Sequence, residues 1–318
     1  MAVFLLNGID TYFGAQVAQV LSNQAGVDLI GLGRSAPIAS VGQTTVLTGE
    51  FSGPQLAQVL QEKRVETVIH LAMAGEEQSN ADSEATLQQN VLGSMLLLGA
   101  CLAAKVKRVI IRSSTLIYGA SVTNPVFIPE KQVRSCSLKP GLIREYADLD
   151  TFATNFVLKH PQIELVLLRC ASLVGEKISS PLTRYLTQRR PRFLLGFNPR
   201  IQILHPEDAA KAFALAATSK KVSGAFNLVA DQPVLLKQAI RLAGNLPFPL
   251  PSSLLATANI LGQRRAVLGH WPFEQAFLRY SCIADSQKAQ RELGWQATHS
   301  ATAILRTLGS SKASLLNS

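Results

Sequence analysis

The sequence predicts an α/β fold: a doubly wound parallel sheet with helices on both faces and a smaller region towards the C-terminus. Three observations lead there. Short apolar runs rich in β-branched residues recur from residue 3 to residue 229, they are continuous rather than alternating, and most are followed by a segment of helical spacing. A strand that is apolar on both faces must be covered on both, and strand-helix alternation supplies that cover. The 318 residues are 47% hydrophobic and 16% charged, which suits a large core and excludes a disordered chain.

The elements follow in order. Residues 3–6 (VFLL) form a short strand that ends in the turn Asn7-Gly8-Ile9-Asp10, and a helix follows with Val17, Val20 and Leu21 on one side. Residues 27–32 are a second strand, closed by Gly33-Arg34, and residues 45–47 a third. A helix begins at 55–60, and 65–72 is a β-branched strand. Residues 90–104 form a long helix. Its nearly apolar stretch, 91–104, is shorter than the roughly 20 residues that span a bilayer, so it reads as a buried helix rather than a membrane segment.

Residues 109–111 are again β-branched. After a Pro-containing loop, 143–159 has helical spacing and stops at His160-Pro161, since proline cannot continue the hydrogen-bond ladder. Residues 165–168 are a further buried strand. From Lys177 onward Pro, Gly and Arg become more frequent, so a second region is expected over 176–308, after a first unit over 1–175. Residues 205–230 are expected to return to the first unit, with 226–229 as a strand of its sheet. The Ser-rich tail, 309–318, is expected to fray.

Net charge is +10, unevenly spread. Residues 1–100 hold three basic and nine acidic side chains, a balance of −6, and the remainder 28 and 12, a balance of +16. The basic residues are dispersed and aromatics make up only 6%, which argues against a nucleic-acid surface. The densest group, Arg189, Arg190 and Arg192 around Pro191, reads as a loop or a substrate-phosphate contact. Cys101, Cys136, Cys170 and Cys282 are scattered without CxxC spacing, which points to a reducing cytoplasm. The five histidines show neither HExxH spacing nor a compact cluster, so no metal site is expected, and no GxSxG elbow suggests a hydrolase.

The turn after the first strand carries the first functional signal. Pyrophosphate binds where backbone N–H groups and a helix N-terminus converge, and a tight strand-to-helix turn provides that place. In Asn7-Gly8-Ile9-Asp10-Thr11-Tyr12-Phe13-Gly14, Gly8 can form the turn and Gly14 lets the helix lie close to the sheet. Thr11 stands where a middle glycine would bring backbone to the phosphate, and Asp10 would repel a pyrophosphate unless it caps the helix. An ordinary strand-to-helix turn is the plainer alternative. At the end of the second strand Arg34 would pair with a 2′-phosphate, which leans towards NADP over NAD, unless it is simply a solvated strand-end residue.

Taken together, the ordered segments NGIDTYFG (7–14), HLA (70–72), NVLG (90–93), SSTLIYG (113–119), LRCASLVG (168–175), HPEDAAKAF (205–213), GAFNLVA (224–230) and ELGW (292–295) give a resemblance. The chain resembles the extended short-chain dehydrogenase/reductases, the NAD-dependent epimerase/dehydratase family. That resemblance implies a Rossmann-type NAD(P) domain with a smaller C-terminal substrate region. It implies that Gly8, Thr11, Tyr12, Phe13 and Gly14 surround the pyrophosphate. Glu50 and Phe51 would lie near adenine, Leu71 and Ala72 would line the cofactor channel, and Asn90 would support the strand edge. His205 and Asp208 would anchor the joint between the two regions.

The family's chemistry uses a Ser or Thr, a Tyr, and a Lys four residues beyond the Tyr. A tyrosine with its free pKa near 10 is a poor base at neutral pH, and a nearby ammonium favours the phenolate. Ser114 matches the serine, four residues before Tyr118, and Tyr146 is the best candidate for the tyrosine. The fourth residue beyond it is Asp150, so the lysine is missing. On one helix face, that carboxylate is expected to oppose phenolate formation. Lys139 is a conceivable substitute, and Tyr185 with Arg189 lies outside the expected helix.

Two functions follow. One is an NAD(P)-binding oxidoreductase, epimerase or dehydratase with weakened or lost chemistry, acting on a small polar or nucleotide-linked substrate, with Ser114 and Tyr146 as its catalytic pair. The other is a family-derived, non-catalytic scaffold or cofactor-responsive regulator, with a protein partner or as a homodimer.

Overall fold

The computed structural model describes residues 1–73, 88–132, 141–219, 222–255 and 271–316. Its centre is a seven-stranded parallel sheet. The strands are β1 (Ala2–Asn7), β2 (Val27–Gly33), β3 (Thr44–Thr48), β4 (Thr67–His70), β5 (Arg108–Ser114), β6 (Glu164–Cys170) and one further strand, Gly224–Leu228, named β11 below. Their spatial order is β11-β6-β5-β4-β1-β2-β3. The chain therefore runs outward from β1 in one direction and outward from β4 in the other, and the reversal lies between β1 and β4.

One sheet face carries α1 (Tyr12–Ser22), and the other carries α2 (Gly53–Glu62), α3 (Gly93–Ala103) and α4 (Leu142–Lys159). Phe13, Val17 and Leu21 of α1 recur at helical spacing and are fully buried against Phe4, Leu6 and Leu29. Burial of such a side chain contributes roughly 1.5–3 kcal/mol. The α3 helix is only half covered, since Leu92 at its start and Leu96 within it are 51% and 56% exposed. The buried helix expected for 91–104 is thus buried on one side, through Ser94, Leu97, Leu98, Ala100 and Cys101.

Beyond β6 the chain leaves the sheet through β7 (Ser172–Leu173), α5 (Pro181–Leu186), β8 (Arg192–Leu194), β9 (Arg200–Ile201) and β10 (Ile203–Leu204). Helix α6 (Pro206–Thr218) then covers the α1 face, with Phe213 edge-on to Phe13, and leads into β11. After β11 come β12 (Val234–Leu235), α7 (Leu236–Leu242), β13 (Phe248–Leu250) and α8 (Ala301–Leu316). These late elements share a separate apolar cluster with α5, centred on Tyr185, Leu186, Ile240, Trp271 and Leu305. The tail expected to fray after Gly309 is instead the continuation of α8 to Leu316. Gly309 lies so close to α7 that a Cβ there would stand 2.8 Å from the Leu242 carbonyl oxygen. Among the described residues, no helix is long and apolar enough to cross a membrane.

Candidate active site

In an open parallel sheet, ligands collect outside the carboxyl ends of the strands where the winding reverses. Here that place is the mouth between β1 and β4. Gly8 leaves β1 with φ of +98°, and a Cβ on it would stand 2.8 Å from the Ala72 nitrogen. A Cβ on Gly14 would stand 1.9 Å from the Gly8 carbonyl oxygen, so α1 starts in direct backbone contact with the turn.

Thr11 turns its hydroxyl back into that turn. It donates to the Gly8 carbonyl at 3.0 Å, accepts from the Gly14 amide at 2.9 Å, and so caps α1. The first amides of a helix have no intrahelical partner. With Gly14 satisfied, the amides of Tyr12 and Phe13 remain without a partner among the described residues. These residues fit a dinucleotide pyrophosphate: two unused donors at a helix N-terminus, with backbone on both sides in place of side chains.

Asp10 neither caps α1 nor faces those amides. Its carboxylate accepts the Arg34 backbone N–H at 3.0 Å, at the tip of β2. Arg34 is exposed. Glu50 lies exposed past the end of β3, and Phe51 is half-buried against the α2–α3 side of the core. Leu71 is buried, with its amide on the Asn7 carbonyl.

A chain of buried hydrogen bonds begins at this mouth. Asn7 donates from Nδ2 to His70 Nδ1 at 3.0 Å, which places the ring proton on Nε2, 2.7 Å from Ser94 Oγ. Ser94 donates to the Asn90 carbonyl, and Asn90 Nδ2 donates to Glu145 Oε2 at 2.5 Å. Burial lowers the His70 pKa to about 4, so the ring is neutral. The line thus runs from the end of β1 to a buried carboxylate in the first turn of α4.

Helix α4 starts at Leu142, and Ile143, Tyr146, Ala147, Asp150 and Ala153 form its buried stripe. Tyr146 is therefore turned to the sheet, 3% exposed, among the apolar residues that α4 shares with β5 and β6. Ser114, at the end of β5, accepts from the Leu116 amide at 3.2 Å and makes no hydrogen bond to Tyr146. Its hydroxyl proton is left to donate.

Asp150 is fully buried in a forked pair with Arg169 of β6, Nε to Oδ2 and Nη2 to Oδ1 both at 2.8 Å, and Ser113 Oγ donates to it at 3.0 Å. Burial opposes a charged Arg169, and Asp150 more than offsets this, so the guanidinium pKa is raised. Arg169 also donates to Tyr118 Oη and to the Glu130 carbonyl. Burial pushes Tyr118 up to about 12 against the pull of Arg169. The expected repulsion between Asp150 and a Tyr146 phenolate is corrected: the carboxylate is neutralised by a guanidinium and belongs to the packing of α4 on the sheet. Lys139 lies outside the described residues.

The model of the NAD dependent epimerase/dehydratase family matches residues 4–228, from β1 through β11. The chain belongs to this family. Among its relatives is an uncharacterized protein of Mycobacterium tuberculosis (strain ATCC 25618 / H37Rv), 29% identical over 288 residues, covering 90% of this chain and 76% of the relative. Among solved structures, the fold is similar to UDP-glucose 4-epimerase from Bifidobacterium longum in complex with NAD+ and UDP, at TM-score 0.75 and 17% identity over 99% of both chains. It is also similar to dTDP-glucose 4,6-dehydratase from Bacillus anthracis in complex with NAD, at TM-score 0.71 and 14% identity over 98% of this chain and 96% of the other. The protein thus has the NAD(P)-binding fold of the oxidoreductases, epimerases and dehydratases of this family.

The lean towards NADP is corrected. Five solved structures of similar fold, among them the Bifidobacterium longum epimerase and the Bacillus anthracis dehydratase, hold NAD. The physical reason is at hand in Asp10, whose carboxylate lies at the tip of β2 beside the Arg34 amide and would repel a 2′-phosphate there. Sequence reasoning missed Glu145, His70 and Ser94 as a connected group. The one signal was the Asn90 and Ser94 pair at helical spacing beside a conspicuous HLA strand end. The sequence also gave no sign that His205 and His299 meet, yet their rings stack with centroids 3.9 Å apart.

Proposed function

We propose that this family member binds NAD and acts, slowly, on a nucleotide-linked sugar. The observation that carries the reading is the pair of unused amides, Tyr12 and Phe13, set between Gly8, Gly14 and the Asp10 carboxylate at the winding reversal. The amides would hold the pyrophosphate, and Asp10 would accept from the adenosine ribose diol. The nicotinamide supplies hydride transfer when bound. The substrate class rests on the similarity to enzymes solved with UDP, UDP-glucose or UDP-glucuronic acid.

In this reading the chain's own part in the chemistry is reduced. Ser114 can donate a hydrogen bond to a substrate oxygen from the end of β5. Tyr146 serves the core and Asp150 is engaged by Arg169, so the family's tyrosine-lysine proton transfer is not carried by positions 146 and 150. The loss of a positioned general base typically costs about 10²- to 10⁴-fold in rate, which is the sense in which turnover is slow.

Calorimetric titration with NAD and NADP tests the cofactor assignment. NAD is expected to bind more tightly, and Asp10→Ala should narrow the difference by weakening NAD and relieving the repulsion on NADP. Equal affinities in the unchanged protein, or a discrimination that survives Asp10→Ala intact, would reject it. Absorbance at 340 nm after addition of UDP-glucose to the NAD complex then reports whether hydride moves, and a rate as fast in Tyr146→Phe as in the unchanged protein is expected.

A further inference from the structure

We propose that Lys177, on the turn between β7 and α5, supplies the cation of the dinucleotide site by pairing with the pyrophosphate at the start of α1. This role rests on the reading that the α1 turn holds NAD, and it brings to that site a residue from outside the first strand-helix unit. The Lys177 ammonium lies over the Tyr12 ring, 5.6 Å from its centroid. Tyr12 is the first residue of α1 and carries one of the two unused amides. Its ring is held from within the same helix, where Gln16 Nε2 donates to Tyr12 Oη at 3.3 Å.

The backbone on both sides of Lys177 is tied down. The Val174 amide donates to the Leu204 carbonyl at 3.1 Å, and the Ile178 amide to the Gly175 carbonyl at 3.2 Å. A Cβ on Gly175 would stand 3.3 Å from the Pro206 ring, so the turn lies tight against the start of α6. Ile178 is buried in the same apolar cluster as Phe13, with Tyr12 packed against that cluster, and the buried Ser180 caps α5. The turn is therefore fixed next to the start of α1 while the Lys177 side chain stays exposed. Among the described residues the ammonium makes no hydrogen bond or ion pair and has the Tyr12 ring as its contact. A cation over a ring face is weakly held, and a phosphate oxygen offers it a stronger, charge-assisted hydrogen bond.

Charge balance points the same way. A helix N-terminus supplies roughly half a positive charge, whereas the pyrophosphate of a dinucleotide carries a negative charge on each phosphate. Helix α1 contains no Lys or Arg, and Asp10, the residue before its cap, is acidic. The remaining positive charge must come from another element. Arg34 stands at the tip of β2, the ribose end of the site, and Arg112 of β5, 5.1 Å over the Phe13 ring, is buried. Lys177 is the exposed cation set at Tyr12.

Calorimetry of the full chain with NAD, ADP-ribose and UDP, in the unchanged protein, Lys177→Met and Lys177→Arg, tests the contact. Lys177→Met is expected to lose about tenfold in affinity for NAD and for ADP-ribose alike, since both carry the pyrophosphate, and Lys177→Arg to stay within about threefold of the unchanged protein. NAD affinity should also fall more steeply in the unchanged protein than in Lys177→Met as sodium chloride is raised from 50 to 300 mM, a difference that a merely structural lysine would not produce. Equal NAD affinity in the unchanged protein and Lys177→Met, a loss for NAD that ADP-ribose does not share, or a loss for UDP with NAD unaffected would overturn the proposal and leave the cofactor reading standing. Failure of the unchanged protein to bind either NAD or ADP-ribose would overturn both.

Discussion

Protonation of His70 should be the main pH-dependent weakness of the crevice floor. The ring is 3% exposed and, among the described residues, is hydrogen-bonded by the neutral groups Asn7 and Ser94, so a proton added to it meets no counter-charge among them. Its pKa is about 4 in the folded chain against 6.5 for an unperturbed imidazole. A depressed folded pKa means that the unfolded chain takes up the proton first as pH falls. The stabilising contribution is complete above pH 6.5 and is lost progressively towards pH 4. Between pH 7 and pH 5 linkage gives a loss of about 2 kcal/mol from this residue alone. Urea denaturation of the unchanged protein and of His70→Gln at both pH values isolates the effect. The variant should be less stable at pH 7, and its additional loss at pH 5 should be smaller by about 2 kcal/mol. Equal losses in the two proteins would refute the assignment of a buried, neutral His70.

Other perturbations have equally definite outcomes. Arg169→Met leaves Asp150 buried without its counter-ion and should cost about 3–5 kcal/mol in denaturant melts, most of it recovered when Asp150→Leu is added. Asp150→Lys, which restores the family's residue type at that position, should set an ammonium against the Arg169 guanidinium; a lower melting temperature and no gain in hydride transfer are expected. Gly14→Ala drives a methyl into the Gly8 carbonyl and should abolish NAD binding in calorimetry while lowering the melting temperature. Thr11→Ala should cost about 1 kcal/mol through loss of the α1 cap, and Thr11→Gly only a few tenths, with NAD affinity preserved in the glycine variant.

The parallel sheet was legible because its strands are apolar on both faces, and residues 27–32, 109–111 and 165–168 announce themselves by composition alone. The crevice was legible in part, since Gly8 and Gly14 are needed for backbone contact and nothing else fits there. The direction of Tyr146 was not. Spacing places a tyrosine on a helix, but its direction depends on where the helix starts, and α4 begins at Leu142 in a phase that turns residues 143, 146, 147 and 150 inward. Asp150 finds its partner on β6, and Asp10 finds its own at the tip of β2, pairings that local patterning does not encode. The same holds for the two stacked histidines, which are joined only by the return of the chain to α6.

Asn227 gives the last strand of the sheet its address. β11 is a five-residue edge strand, added only after the chain has built β7 to α6 elsewhere, and a short apolar segment of this kind could pair one residue out of step. Asn227 removes that freedom: its amide donates to Glu130, its side chain donates to the carbonyls of Ile128 and Asp285, and its oxygen accepts from Tyr118. A slip by one position would strand all of these buried partners at once and turn Phe226 out of the core. The second half of the chain therefore docks in a single alignment, chosen by polar contacts where the apolar ones are ambiguous.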